Sequence, residues 1–322
     1  MKLEWLRYGL GELKFVRSRK DLRVFLEKAA YLVPRALGAL CRNSPVPYSL
    51  QIEPTNQCNV NCICCSRRAS SRARGYMDFA LFRKIMDEAS TIGVKMVRLY
   101  AQGEPLLHPD IIKMIAYTKR KGLRIHLVTN GTCLDVPRGE AILRSGLDSG
   151  DRVIFSVLGF SKEVHEAIMR GVDHHKVMAN IHGFVALRKK FGLNGPVIET
   201  VFLNMPENLA ERRPFLAYWR PVVDHVRSEG AISRQFAEFN SGQKPPLPVR
   251  KRTCAYLWDR LLVFWNGDAT ICIADLDGTH RLGNLQQQSI REIWSCDNLM
   301  AIRQMHRERR FQELPLCSNC DW

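Results

Sequence analysis

The sequence of 322 residues has no apolar run as long as the roughly 18–20 residues that a membrane-spanning helix needs. Its first residues include Glu4, Arg7 and Glu12, where a secretory signal peptide would be apolar. We therefore expect a cytoplasmic protein. Its eleven cysteines are not expected to form disulfides in that reducing compartment, so clustered cysteines indicate metal ligands or catalytic groups.

Acidic residues are scarce, because 32 Asp and Glu stand against 48 Lys and Arg, a net charge of +16 at pH 7. This excess favours an anionic partner, which can be nucleic acid, a phosphorylated metabolite or an anionic membrane surface. The hydrophobic fraction of 46% and the charged fraction of 25% exclude collagen-like, low-complexity and disordered chains. The length fits roughly two domains of about 150 residues each.

Residues 1–46 hold ten basic and four acidic side chains, interleaved with apolar and aromatic residues. This pattern predicts a basic amphipathic helical extension. Such a segment suits peripheral contact with the inner, anionic face of a membrane. The alternative is that its apolar face packs against the domain that follows.

Residues 47–228 alternate between strand-like and helix-like segments, about six times over. This order predicts an α/β fold, a partial (β/α)6 TIM-like barrel with parallel strands and right-handed crossovers. The predicted strands are Ser49–Glu53, Lys95–Tyr100, Leu123–Thr129, Arg152–Val157, Val197–Leu203 and Val222–Val226. The predicted helices are Asp78–Thr91, Pro109–Lys121, Val136–Ser145, Lys176–Phe191 and Asn208–Trp219.

Residues 229–250 are rich in glycine, serine and proline, which predicts a linker. Residues 251–322 are expected to form a small cysteine-rich domain. Within it, Asn266-Gly267-Asp268 predicts a hairpin turn between strands at Leu261–Trp265 and Thr270–Ile273. Ser289–His306 reads as one helix that leads into a cysteine-bearing tail.

The first cysteine cluster follows the first predicted strand. Cys58, Cys62 and Cys65 have the spacing C-x3-C-x2-C on one short loop. Three thiolates in this arrangement can bind three irons of a [4Fe-4S] cluster and leave the fourth iron open for chemistry. The loop leaves the carboxyl end of a barrel strand, where barrel folds assemble their active sites. A structural zinc site with Cys64 as the fourth ligand is the alternative.

With this loop the sequence resembles the radical S-adenosylmethionine (SAM) superfamily. Gly103-Glu104-Pro105, after the second strand, is similar to the GEP-type motif of that family, whose neighbourhood holds the methionyl amine of SAM. The residue types agree with this role, because Gly103 permits close backbone approach, Glu104 can accept from an ammonium group and Pro105 fixes φ.

Two further positions resemble SAM-contacting residues of the family. Asn130 lies in Thr129-Asn130-Gly131, which is similar to the family's T-N-G segment, and Ser156 aligns with a serine often seen beside the SAM ribose. Polar residues at strand ends are also common turn formers, so the turn reading stays open for both. The chain departs from the family pattern at Cys64, where an aromatic residue is usual before the third cysteine.

The second cysteine cluster lies near the C-terminus. A cysteine after the predicted hairpin and a tail ending in C-S-N-C resemble the SPASM-type extension of radical SAM enzymes. Four thiolates suffice for one fully ligated auxiliary [4Fe-4S] cluster. The alternative is a four-cysteine zinc ribbon. The expected ligands are Cys254, Cys272, Cys317 and Cys320.

The resemblance implies that an electron donor such as flavodoxin or ferredoxin reduces the cluster and that bound SAM yields a 5′-deoxyadenosyl radical, which abstracts hydrogen from a substrate C–H bond. Electron exit through an auxiliary cluster would make the enzyme an oxidoreductase of the dehydrogenase type. Hydrogen return from a thiol would give epimerisation. Cys133 is a candidate hydrogen donor, although a small buried residue is its more ordinary interpretation.

Four arginines among serines follow the cluster loop, namely Arg67, Arg68, Arg72 and Arg74. Guanidinium groups suit bidentate phosphate recognition, so we hypothesise an anionic small-molecule substrate, such as a phosphorylated or nucleotide- or lipid-linked sugar, that contacts Arg67 and Arg68. A solvated loop is the alternative.

Two competing functions remain. A peptide-modifying maturase usually needs a leader-recognition module that 46 residues hardly provide. An RNA-modifying enzyme would explain the charge, but no RNP-like aromatic motif or long basic block is evident, so nucleic acid is not an expected partner.

Overall fold

The computed structural model describes residues 44–230, 253–318 and 320. Most of the predicted basic extension and of the predicted linker therefore lies outside the described residues, and both remain predictions. In the part of the chain that the structure describes, no helix is long and apolar enough to cross a membrane.

Parallel strands alternate with helices from Ser49 to Gly230, which confirms the predicted partial (β/α)6 barrel. The strands β1, β3, β4, β5, β7 and β8 pair in this order, each parallel to the next. Their bounds are Ser49–Ile52, Met96–Leu99, Arg124–Thr129, Arg152–Ser156, Val197–Asn204 and His225–Gly230. The helices between them are α1 Phe79–Ile92, α2 Ile111–Arg120, α3 Val136–Arg144, α4 Lys162–Ile168, α5 His174–Lys190 and α6 Arg212–Trp219.

Local signals in the sequence begin and end these helices. The Asp78 side chain caps α1 by accepting hydrogen bonds from the N–H groups of Ala80 and Leu81, and α1 ends at Gly93, whose φ of 94° is left-handed. The predicted strand Val222–Val226 is displaced, because β8 starts only at His225. The N–H groups of Val222 and Val223 instead bond to the carbonyl that closes α6.

The two faces of the barrel sheet differ in chemistry. One face is apolar and packs on the helices, as Phe155 of β5 does on Phe184 of α5, with ring centroids 6.0 Å apart. Residues of the opposite, inner face stand side by side across the strands, and one such row is polar from β1 to β5. That row runs Gln51, Arg98, His126 and Arg152.

The C-terminal region continues the same sheet. Strand β9, Arg260–Val263, pairs parallel with β1, and β10, Asp268–Thr270, and β11, Arg281–Asn284, follow in antiparallel order. The predicted hairpin is present, with Gly267 at a φ of 87° in its turn. The remaining helices are α7 Tyr256–Asp259, α8 Ile290–Trp294, α9 Asp297–Arg307 and α10 Pro315–Ser318.

The predicted single helix Ser289–His306 is wrong, because the chain breaks between α8 and α9. Cys296 is extended, with φ −65° and ψ 150°, and the Ser295 hydroxyl bonds back to the Arg291 carbonyl. The buried Arg303 donates to the carbonyl of Trp294, which the break leaves open. This tertiary bond compensates the break.

Candidate functional site

The first cysteine cluster lies on a loop whose two ends are bonded to each other. Thr55, near the start of the loop, forms an isolated antiparallel bridge with Tyr76, and its hydroxyl donates to the Gly75 carbonyl over 2.6 Å. The three predicted ligands fall inside this loop. Because the strands are parallel, the loop lies at the same edge of the sheet as the segments that follow β3, β4 and β5.

A second contact supports the loop from below. The two-residue strand β2, Asn61–Cys62, pairs antiparallel with β6, Met169–Arg170, and the Ile63 N–H donates to the Ile168 carbonyl at the end of α4. Neither α4 nor this pairing was predicted from the sequence. A two-residue strand is too short for any periodic pattern to reveal it.

The three thiols fit a cluster that binds one cysteine per iron. Burial raises the pKa of the Cys58 thiol to about 11, and it also raises the pKa of Cys62, to which the neighbouring Cys64, Cys65 and Cys58 add. Such thiols hold their protons until a metal displaces them. Soft thiolates are the usual ligands of iron–sulfur clusters.

Cys64, the unusual residue before the third cysteine, faces the same partly buried surroundings. Burial and the nearby Cys65 raise the pKa of its thiol to about 12. Among the residues described, no group of three or more His, Cys, Asp or Glu side chains could hold a metal ion. Cluster cysteines bind separate irons, so their sulfurs do not converge on a point as the ligands of one ion do.

Gly103 lies directly against the cluster loop. The Glu104 N–H donates to the Gln57 carbonyl over 2.8 Å, immediately before Cys58. A Cβ at Gly103 would lie 2.2 Å from the Thr55 carbonyl oxygen and 2.6 Å from that of Gln57. Only glycine fits here, because the backbone at Gly103 packs directly against the backbone of Thr55 and Gln57. The motif predicted such a close backbone approach.

The carboxylate of Glu104 is bound by the protein itself. It accepts hydrogen bonds from the Leu106 N–H, the Thr129 hydroxyl and the Asn130 N–H, over 3.0, 2.7 and 2.7 Å. Burial raises its pKa, and these three donors oppose the shift. Glu104 therefore joins the segment after β3 to the end of β4. This structural role was not predicted from the sequence, which indicated only a contact with an ammonium group.

Asn130 connects β4 to the cluster loop. Its side-chain amide donates to Asn59 Oδ1 over 3.1 Å and approaches Cys58 Sγ at 3.9 Å. Its own oxygen accepts from the N–H and the hydroxyl of Thr132. This places Asn130 beside the predicted iron ligand Cys58.

Cys133 lies beside the same loop and is half-buried. The Asn59 amide approaches its Sγ at 3.8 Å, and the Thr132 hydroxyl at 3.7 Å. Ser156, at the end of β5, is also half-buried and stands in register with Val201 of β7.

The arginine-rich segment is largely bound to the protein. Arg72 forms a two-pronged ion pair with the buried Glu53, 2.8 Å for each prong, and stacks over Phe264. Arg74 donates to the Asn56 carbonyl and Arg67 to the Val60 carbonyl. Arg68 is exposed. Arg67, Arg72 and Arg74 are thus held by structural contacts, which neither the expected phosphate contact nor the alternative of a solvated loop includes.

The same segment joins the cluster loop to the C-terminal region. The Ser70 hydroxyl and the Ser71 N–H donate to Asp277, while Arg72 Nε donates to the Leu276 carbonyl. Gln102, the residue before Gly103, donates to the Ile273 carbonyl, next to Cys272. We call residues 66–75 the brace, since they connect both cysteine regions.

The second cysteine cluster is organised around a histidine that the sequence analysis missed. His306 is fully buried; its Nδ1 accepts from the Cys254 N–H over 3.3 Å, and its Nε2 lies 3.4 Å from Cys317 Sγ. Burial raises the pKa of the Cys272 thiol to about 12, and the neighbouring Cys254 and Cys320 contribute to this rise. All four predicted ligands therefore belong to one neighbourhood.

Comparisons with known proteins agree with this geometry. Residues 52–212 match the model of the radical SAM superfamily, and residues 254–321 match the iron-sulfur cluster-binding domain named SPASM. Both resemblances stated from the sequence are thereby confirmed.

Two curated relatives align over most of this chain. The tungsten-containing aldehyde ferredoxin oxidoreductase cofactor-modifying protein of Pyrococcus furiosus is 25% identical over 317 residues, which cover 84% of this chain and 86% of the relative. The probable GTP 3′,8-cyclase of Methanothermobacter thermautotrophicus is 27% identical over 288 residues, which cover 83% and 92%.

The fold is similar to that of BtrN in complex with AdoMet and 2-DOIA. The TM-score is 0.59 and the sequence identity 19%, with 86% of this chain and 94% of that chain covered.

Proposed function

The chain belongs to the radical SAM superfamily, and on that basis we propose that it abstracts hydrogen from a C–H bond of an anionic small molecule. Its cofactors are SAM and a [4Fe-4S] cluster, and the SPASM domain adds auxiliary iron–sulfur. The observation that carries the proposal is the closed loop of three thiols at the carboxyl edge of the barrel, held by Gly103 and Asn130.

We propose Cys58, Cys62 and Cys65 as the ligands of the catalytic cluster. The chemistry supplied there is one-electron cleavage of SAM to methionine and a 5′-deoxyadenosyl radical. Gly103, Glu104, Pro105, Asn130 and Ser156 are the proposed SAM-binding residues. Glu104 would act by holding the end of β4 in place, because its oxygens already accept three hydrogen bonds from the protein.

For the auxiliary site we propose Cys254, Cys272, Cys317 and Cys320 as ligands of one cluster. With four protein ligands this cluster would have no open iron. It would then serve as an electron acceptor, so the substrate radical would lose an electron to the cluster and a proton to a base, a net dehydrogenation. Cys254 and Cys320 both contribute to the raised pKa of the Cys272 thiol, which supports this grouping.

Epimerisation is the second candidate outcome, and the position of Cys133 favours it. Its thiol lies one residue beyond Thr132 at the cluster edge, next to Asn59. A thiol there could return a hydrogen atom to the substrate radical, and the resulting thiyl radical would be reduced by an external donor. Cys133→Ala would then abolish product formation but keep hydrogen abstraction, whereas a dehydrogenase would tolerate it.

The decisive experiment is anaerobic reconstitution with iron and sulfide, followed by addition of reductant and SAM. We expect about eight irons per chain and formation of 5′-deoxyadenosine. The variant Cys58→Ala/Cys62→Ala/Cys65→Ala should retain about four irons and form no 5′-deoxyadenosine.

Cys296→Ala is the matched control, because Cys296 occupies the N-cap position of α9 without a capping side-chain hydrogen bond and belongs to neither proposed ligand set. It should bind the full iron complement and cleave SAM. Wild-type protein that binds iron but forms no 5′-deoxyadenosine would refute the proposal. Zinc in the C-terminal site would remove only the argument for electron exit.

A further inference from the structure

Three arginines from separate strands face the interior of the barrel, away from the helices. They are Arg152 of β5, Arg227 of β8 and Arg260 of β9, and the strand register puts them on the same face as Glu199 of β7. Their side chains are between 9% and 34% exposed. Neither the sequence motifs nor the proposed SAM site uses them.

The arginines converge although their strands lie far apart in the sheet. Arg152 and Arg227 both donate to the Glu199 carboxylate, the first over 3.1 Å. Arg260 donates to Gln51 Oε1 over 3.1 Å and stacks 3.8 Å above the Tyr256 ring. The curvature of the sheet thus brings guanidinium groups from both ends of the parallel run into one interior.

The charges of these arginines act on Tyr100, which follows β3 on the same inner face. Burial alone would raise the pKa of this phenol, but the charges of Arg98, Arg260 and Arg227 outweigh burial and lower it. The pKa of Glu199 falls to about 2 against the effect of burial, because His225, Arg227 and Arg152 contact or surround it. Both shifts have the direction that neighbouring positive charge produces.

Several donors of these arginines are unused within the described residues. Arg260 Nε is buried without a hydrogen-bond partner there. Among the same residues, Arg152 donates one hydrogen bond, from Nη1 to Glu199. A guanidinium group has five N–H donors, so both retain unfilled capacity directed into the barrel.

The three arginines share few carboxylate partners among the described residues. Arg152 and Arg227 both pair with the buried Glu199, and Arg227 also pairs with the exposed Glu229. Arg260 Nε lies 3.7 Å from Asp259 Oδ2. Buried charge of one sign is costly unless a counter-charge approaches it, so an anion that reaches these guanidinium groups would be stabilised.

We propose that Arg152, Arg227 and Arg260 bind a phosphate group of the substrate inside the barrel. Phosphate matches the planar guanidinium fork and carries negative charge that several guanidinium groups can share. This inference deepens the proposed function and rests on it for the position of the reacting carbon. It moves phosphate recognition from Arg67 and Arg68 to the inner face of the strands.

The strand register orients the substrate. Arg227 is paired with Val201, and Val201 with Ser156, so Arg227 stands at the level of the proposed SAM site. Arg152 lies four residues before Ser156 on β5, roughly 13 Å deeper at about 3.3 Å per residue. The side chains of Arg152 and Arg227 meet at Glu199, between these two levels. The phosphate would therefore bind below the level of Ser156, with the reacting C–H group directed toward the cluster loop.

The test is isothermal titration of the full-length, iron-loaded protein with inorganic pyrophosphate. We expect one saturable site, with affinity at least tenfold weaker in Arg152→Gln and in Arg260→Gln, and partial recovery in Arg152→Lys. Arg144→Gln is the matched control, because Arg144 pairs with Glu140 on the exposed surface of α3. That variant should bind like the wild type.

A further variant separates ligand binding from a purely structural network. Glu199→Gln removes a competing carboxylate, so pyrophosphate should bind more tightly, whereas a structural network alone predicts no gain. Iron content and circular dichroism identify misfolded variants. Where the glutamine variant of an arginine misfolds, the lysine variant of the same arginine is measured instead. Unchanged affinity in every folded interior variant would overturn the inference, as would loss of binding in Arg67→Gln/Arg68→Gln alone.

The two proposals can fail separately. Wild-type protein that cleaves SAM but does not bind pyrophosphate would overturn the interior phosphate site and leave the radical function intact. Protein that binds pyrophosphate through the interior arginines but forms no 5′-deoxyadenosine would refute the proposed radical function while the binding site stands.

Discussion

At the scale of single residues, His306 shows how one side chain can position two proposed cluster ligands. Because Nδ1 accepts the Cys254 N–H, the proton of the neutral ring lies on Nε2 and is donated to Cys317 Sγ. Hydrogen bonds to ligand sulfur stabilise the more negative, reduced cluster and so raise its potential. We therefore expect His306 to be a positioning residue that affects the potential of the proposed cluster as well as its structure.

We predict that His306→Leu lowers the reduction potential of the auxiliary cluster by on the order of tens of millivolts, the equivalent of about 1 kcal/mol for one electron. His306→Gln keeps an amide donor and should recover part of the shift. Potentiometric titration followed by electron paramagnetic resonance measures both. An unchanged potential in a leucine variant with full iron content would contradict this role.

Gly103 gives a second prediction at this scale, because any side chain there meets backbone and cannot be accommodated by a rotamer change. A methyl group would lie 2.2 Å from the Thr55 carbonyl oxygen, so Gly103→Ala should displace the cluster loop. We expect loss of about four irons per chain. Iron analysis after anaerobic reconstitution tests it.

Gly183→Ala is the control for that substitution. It lies within α5 with no atom near the position of an added Cβ, and glycine inside a helix costs roughly 0.5–1 kcal/mol relative to alanine. The variant should keep all its iron and be slightly more stable. Full iron content in Gly103→Ala as well would show that the loop tolerates the displacement.

At the scale of elements, a buried ion pair joins the brace to the end of β1, beside the C-terminal region. Glu53 is fully buried and Arg72 nearly so, and the backbone N–H of Trp265 in the C-terminal region donates to the same carboxylate. Removing only the arginine leaves an uncompensated charge, which costs about 3–5 kcal/mol. Arg72→Gln should therefore lower the melting temperature by several degrees.

The double variant Glu53→Gln/Arg72→Gln removes both charges and should recover part of that loss. Arg310→Gln is the matched control, since Arg310 and its partner Glu313 are both about half exposed and contribute little. Thermal unfolding of the iron-loaded proteins gives all three values. Equal destabilisation by the single and double variants would argue against a coupled pair.

The elements also show what sequence patterns can and cannot predict. The alternation of apolar strands and amphipathic helices gave the barrel, because these periodicities arise from burial along contiguous residues. The break between α8 and α9 was not predictable, since it depends on Arg303 bonding to the Trp294 carbonyl. The cysteines were visible as spaced motifs, whereas His306 meets Cys254 and Cys317 only through the fold.

At the scale of the whole molecule, the barrel and the C-terminal region share one nine-stranded sheet. Strand β9 lies between β10 and β1, so the sheet runs without interruption from β11 to β8. The sequence predicted a linker and a small cysteine-rich domain after the barrel, and the pairing of β9 with β1 gives this region and the barrel a common backbone hydrogen-bond network. Cooperative unfolding follows from such continuity, because opening β9 also exposes the edge of β1.

We therefore predict that β1, β9 and β10 exchange their amide hydrogens in one opening step when the iron-loaded protein is held in low denaturant. Their opening free energies should agree to within about 1 kcal/mol. The isolated pair of β2 and β6 has two residues in each strand and serves as the comparison. In the iron-free protein its opening free energy should be lower than that of β1, β9 and β10. Exchange measured by mass spectrometry resolves these peptides. If β9 to β11 opened at distinctly lower free energy while β1 to β8 stayed protected, the C-terminal region would be an independent folding unit docked on the barrel, and the shared sheet would not couple the two iron–sulfur regions.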